Sequence, residues 1–157
     1  MGVETIIEDE GWDIVDLDLR AQVAATEVLR HVGLDPTLYE ASVLGCNDAR
    51  IADLNRDFRN KPQPTNVLSW PSEDRSVSGA TPLPPQDTEL GDIAIALETC
   101  VREAETQGKT VADHVTHLLV HAMLHLLGYD HETEPDAAIM ERIEVETLAK
   151  MGIADPY

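Results

Sequence analysis

Three histidines, His121, His125 and His131, lie in the run HAMLHLLGYDH. Two histidines four apart on a helix project from one face, so both imidazoles reach one metal ion. Gly128 follows three residues after His125, where a helix can end in a left-handed turn that most other residues resist. The chain then reverses through Tyr129-Asp130 and delivers His131 as a third nitrogen ligand. Three neutral imidazoles suit zinc, one ion per chain, and leave a fourth position open for water. A structural zinc site would close that position with a fourth protein ligand, so the pattern points to hydrolysis. Ordinary histidines around a helix end are the competing reading. Three of them at this spacing, with a glycine break, favour the metal.

The spacing His-x3-His-x2-Gly-x2-His is also that of the metzincin proteases. Those enzymes place a glutamate directly after the first histidine, as general base. Here that position is Ala122. The metal cradle is present and the protease base is missing, which argues against peptide hydrolysis by that route.

Composition frames what can carry this centre. At 157 residues the chain fits one domain, 1–157, with a single substantial core. No charged-then-apolar leader and no uninterrupted apolar run of membrane length is visible, so a soluble, cytoplasmic protein with no membrane partner is expected. Cys46 and Cys100 form no metal-type pair and read as buried thiols in a reducing compartment. Thirty acidic against 11 basic residues give a net charge of −19, which excludes nonspecific nucleic-acid binding along the whole surface. A local site stays open, because Arg50, Arg56, Arg59 and Lys61 fall within one short stretch. On charge pattern alone that stretch is a solvated helix face or a phosphate-binding patch.

The pattern along the chain predicts an α+β fold, a small mixed sheet packed with helices. Val3 to Ile7 reads as a strand, and a helix from a cap at Asp16 carries Leu19, Val23, Val28 and Leu29 to a stop near Gly33. Tyr39 to Cys46 is β-prone, Asn47 caps a helix to about Phe58, and Thr65 to Trp70 is extended. Pro71 to Glu89 is a proline-rich connection long enough to be functional. Gly91 to Leu97 has no polar face and reads as an inner strand, followed by a helix from Glu98 to Gln107. Thr110 with Asp113 starts the next helix, Val111 to Leu127, which is apolar on every side and therefore central. His114, His117, His121 and His125 on that helix carry a desolvation cost that a metal offsets. A final acidic helix carries Ile139, Ile143, Val145 and Leu148.

The run HLLVHAMLHLLGYDH resembles the signature of the bacterial YbeY family. LNRDFRNKPQPTNVLSWP, LGDIAIA and MERIEVETLAKMGIADPY resemble further family segments, in order and over most of the chain. Three positions depart from the usual pattern: Asn66 in place of aspartate, Trp70 in place of phenylalanine and Ala122 in place of glycine. The resemblance implies a zinc-dependent endoribonuclease that cuts single-stranded RNA in ribosomal-RNA maturation, at the 3′ end of the small-subunit RNA, and acts in ribosome quality control. It implies partners among small-subunit ribosomal proteins or an assembly GTPase. It also assigns the family's arginine to Arg59, which can grip a phosphate through two parallel hydrogen bonds. His117 matches a family histidine and is a candidate for supporting a ligand or handling a proton, against the plainer reading of a core histidine. Arg50, Arg56 and Lys61 are candidate RNA contacts. Two alternatives stand beside this one: a metzincin-like metalloprotease, and a non-catalytic, metal-stabilised ribosome assembly factor whose acidic surface binds basic proteins.

Overall fold

Strand alternation sorts the apolar residues of this chain into two layers. In the computed structural model, which describes residues 2–77, 82 and 84–157, a four-stranded mixed sheet has the order β1-β2-β4-β3. β1 (Gly2–Ile7), β2 (Glu40–Cys46) and β4 (Glu89–Ala96) run parallel, and β3 (Val67–Pro71) pairs antiparallel with β4 at the edge. Successive residues of a strand point to opposite faces. Ile93 and Ile95 of β4 accordingly enter the main core, while Ala94 and Ala96 join a small cluster with Ile51 and Leu68.

The main core lies between the sheet and the helices α1 (Leu17–His31) and α4 (Val111–Leu126). α4 packs against α1, β3, β4, α3 (Leu97–Gln107) and α5 (Glu134–Lys150), which is why its sequence is apolar all round. Thr110 caps it by accepting the Asp113 amide at 3.1 Å. α2 (Asp48–Arg59) lies over the small cluster, and Asn47 caps it through the Arg50 amide at 2.8 Å. The expected mixed sheet, central helix and inner strand β4 are all present.

Three details differ from the sequence expectation. Leu19 and Val23 of α1 point to solvent, and the buried face is Leu17, Ala21, Ala24, Ala25, Val28 and Leu29. Small alanines let α1 close on α4, a packing that a large-residue periodicity conceals. Residues Glu10–Val15, given no element from sequence, form a 3-10 segment whose Trp12 is fully buried and donates to the Cys46 carbonyl at 3.0 Å. The proline-rich connection is anchored at its start, where buried Arg75 donates to the carbonyls of Leu126 and Leu90. Residues 78–81 and 83 of that connection lie outside the described residues. Cys46 and Cys100 are free and buried, as expected, and burial raises both thiols, Cys46 to about 12. Among the described residues no helix is long and apolar enough to cross a membrane.

Candidate functional site

The last turn of α4 and the loop after it build the centre. Gly128 takes φ +105°, its amide donates to the His125 carbonyl at 3.0 Å, and the Tyr129 amide returns to the Leu124 carbonyl at 3.0 Å. This is the glycine-terminated helix end that the sequence predicted. A Cβ on Gly128 would also meet the Arg75 backbone at 2.8 Å, so the turn is fixed by packing as well as by φ. The turn swings His131 back to face His121 and His125. The three ring centroids are 5.1 to 5.2 Å apart, and one nitrogen from each lies within 4.8 Å of the others.

The donor set fits a metal ion. Burial, followed by the nearby His121, His131 and Arg59, pushes His125 down from 6.5 to about 4, so its imidazole is neutral and its lone pair is available at neutral pH. No cysteine or carboxylate joins the three histidines as a fourth member of this group among the described residues. A three-nitrogen group with no fourth protein donor is the open arrangement expected for a catalytic rather than a structural zinc-type ion.

Behind the histidines stands a residue the sequence reading missed. Glu144, on α5, has a fully buried side chain and accepts from His117 Nε2 at 3.0 Å and His121 Nδ1 at 3.1 Å. Burial alone would raise its carboxyl. Hydrogen bonds from His117 and His121 and the proximity of both rings outweigh that effect and hold it at about 2. A carboxylate on Nδ1 fixes the tautomer of His121 and leaves Nε2 free for an ion. His117 therefore shares the support of His121 and is not a fourth member of the ligand cluster. Tyr157 completes this network by donating its hydroxyl to Glu144 Oε2 at 3.0 Å.

A cleft of about 310 Å³ opens over the centre, lined by the three histidines together with Arg59, Asn66, Ser69, His117, Ala122 and Tyr157, among others. Among the described residues no carboxylate side chain lines it. Where a metzincin needs its glutamate, Ala122 presents a methyl group. Arg59, the last residue of α2, is exposed and makes no hydrogen bond or ion pair among the described residues, in a chain with 30 acidic side chains. The turn beyond it is held by Asn55, whose side-chain amide donates to the Gln63 carbonyl at 2.9 Å. The other basic candidates are placed elsewhere. Arg50 pairs with Glu8 at 3.3 Å, Arg56 pairs with Asp53 at 3.2 Å and Asp57 at 3.3 Å, and Lys61 is not among the lining residues.

The three departures from the family pattern acquire local meanings. Asn66 Nδ2 donates to Glu103 Oε1 at 3.0 Å, and the same oxygen meets His114 Nε2 at 2.8 Å. An aspartate at 66 would set two carboxylates against each other there, whereas the amide satisfies Glu103 without adding charge. Trp70 packs edge-on against Phe58, with centroids 5.5 Å apart. Ala122 is buried at the cleft wall.

Comparison with known proteins adds a family to this geometry. The sequence profile described as Endoribonuclease YbeY matches residues 7–152. A protein named Endoribonuclease YbeY from Jannaschia sp. (strain CCS1) is 52% identical over 160 residues, covering 100% of both chains. One of the same name from Paracoccus denitrificans (strain Pd 1222) is 55% identical over 157 residues, covering 99% of this chain and 89% of the relative. The solution structure of TM1509 from Thermotoga maritima superposes with a TM-score of 0.59 at 21% identity, over 96% of this chain and 91% of that one, a likeness of fold.

Proposed function

This chain belongs to the YbeY endoribonuclease family, and from that premise we propose that it is a zinc-dependent endoribonuclease acting on single-stranded segments of ribosomal RNA during maturation. Processing at the 3′ end of small-subunit RNA and a part in ribosome quality control belong to the same reading. So do contacts with small-subunit ribosomal proteins or an assembly GTPase. The observation that carries the reading is Arg59, a guanidinium with no ion pair among the described residues, in the same cleft as the three-histidine group. An unpaired cation in so acidic a protein calls for an anion from outside, and a phosphodiester supplies it.

His121, His125 and His131 would hold the ion, which when bound supplies Lewis-acid chemistry at a phosphoryl oxygen or activates water. The chain's own groups do the rest. Arg59 holds a phosphate through its two-pronged donor edge and stabilises charge that builds on it. Glu144 and His117 keep His121 oriented. Among the described residues no carboxylate side chain lines the cleft itself, so the Arg59 side of it can receive a phosphate and the general base of the protease reading is missing. The assembly-factor reading draws on the −19 net charge, which suits basic protein partners, and it can coexist with catalysis.

Arg59→Ala tests the reading. Zinc content and melting temperature should stay at wild-type values while single-strand cleavage falls by roughly 10²-fold, the cost of losing one preorganised donor. Arg59→Lys should recover only part, since an ammonium lacks the planar fork. Undiminished cleavage by a folded Arg59→Ala protein would remove Arg59 from the mechanism and move weight to the assembly-factor reading.

A further inference from the structure

Tyr157 lines the cleft, yet the residue as a whole is 61% exposed. It is also held in place. Its hydroxyl donates to Glu144 at 3.0 Å, its ring stands perpendicular to that of His117 with centroids 5.6 Å apart and planes at 86°, and its backbone amide donates to Asp155 Oδ1 at 2.8 Å. An aromatic residue that borders a cleft and is held by its hydroxyl and by one perpendicular ring is preorganised to receive a flat partner.

The charges around the cleft say which part of a nucleotide that partner is. Arg59 lines the cleft without a carboxylate partner among the described residues and attracts phosphate. Tyr157 instead sits beside Glu144, Glu141 and Asp155, and its phenol is raised first by burial and then by these carboxylates. A phosphate beside Tyr157 would be repelled, whereas an uncharged base would not. A strand lying in the cleft therefore places backbone at Arg59 and a base at Tyr157. We propose that the Tyr157 ring is a stacking platform for an unpaired nucleobase of the RNA strand whose phosphate Arg59 holds. This deepens, and rests on, the RNA reading above. It gives single-strand preference a physical cause, because a base inside a duplex has both faces covered and cannot reach the ring.

The test uses the zinc-replete full chain, a fluorophore-quencher single-stranded RNA, and the same RNA carrying one abasic ribose moved stepwise along it. Tyr157→Leu should raise KM roughly 5- to 100-fold, the range for losing one base-aromatic stack, with metal content unchanged. Tyr157→Phe and Tyr157→Trp lose the hydroxyl on Glu144 but keep a ring, and should show a clearly smaller KM increase than Tyr157→Leu, since any aromatic face stacks a base. In the wild-type protein, an abasic ribose at one position should reproduce the KM increase, and in Tyr157→Leu it should add nothing further. Equal KM in Tyr157→Leu, or the absence of any position-specific abasic effect, overturns the stacking proposal. So does a loss in Tyr157→Phe as large as in Tyr157→Leu, because the ring would then matter only through its hydroxyl on Glu144. A wild-type protein that cleaves no single-stranded RNA overturns the functional reading as well, and is distinguishable by that result alone.

Discussion

Replacing Glu144 with glutamine keeps the shape of the side chain and removes its charge. The native carboxylate receives three donors: His117 at 3.0 Å, His121 at 3.1 Å and the Tyr157 hydroxyl at 3.0 Å. Both imidazoles use Oε1 and the Tyr157 hydroxyl uses Oε2, so an amide oxygen at the first position can keep both rings but only as a neutral acceptor, and its NH2 group reverses the bond to Tyr157. Hydrogen bonds to a charged group contribute about 1.5–3 kcal/mol each, and the side chain is fully buried, so solvent cannot compensate. For the metal the consequence is a less basic, less firmly oriented His121. Losing such a supporting partner typically costs 10- to 100-fold in metal affinity, or about 1.4–2.7 kcal/mol. Zinc titration against a chromophoric chelator, with circular dichroism to confirm the fold, measures it. The dissociation constant should rise by roughly one to two orders of magnitude in Glu144→Gln. An affinity within about twofold of wild type in a folded variant would show that the carboxylate does not support His121 as a metal ligand.

The double variant His121→Ala, His125→Ala should bind no zinc and lose the stabilisation that metal gives the wild-type fold; full metal occupancy in it would sink the assignment of the centre. The metal-free protein should weaken as pH falls. His125 is held near 4, mainly by burial, against 6.5 when unfolded, so the unfolded chain takes up its proton first and stability falls from about pH 6.5 toward 4. By pH 5 the loss reaches about 2 kcal/mol. Glu144, held near 2, adds a further loss below about pH 4.5 as its carboxylate protonates. Urea unfolding of metal-free protein at a series of pH values reads both effects, and His125→Asn should flatten the upper one. A flat profile between neutral pH and pH 5 in the unsubstituted protein would contradict the buried, neutral imidazole.

Legibility in the sequence followed the range of the interaction. His121, His125, Gly128 and His131 are local: helical spacing and one obligatory left-handed turn fix their relation, so the centre could be read from eleven letters. Arg59 was legible through resemblance, and only the fold shows that it is left unpaired while Arg50 and Arg56 are consumed by carboxylates. Glu144 was not read because it is one of 30 acidic residues and reaches His121 across two helices. A signal was present: it lies on the same helical stripe as the buried Met140, Ile143, Thr147 and Leu148, where an acid needs a reason. The exposed Leu19 and Val23 misled in the opposite direction, since alanines rather than large residues define the inner face of α1. The burial of Trp12 depends on a short 3-10 segment without periodicity, and nothing local announces it.

The central claim is that one three-histidine centre beside Arg59 cuts single-stranded RNA. It is met most directly by assaying a single preparation for zinc content and RNA cleavage before chelation, after chelation, and after zinc is restored. The preparation should hold about one ion per chain, cleave single-stranded RNA but not duplex, lose both ion and cleavage with the chelator, and regain both together. Cleavage that survives complete removal of the metal, or peptide hydrolysis with no RNA cleavage in the zinc-loaded protein, would contradict it.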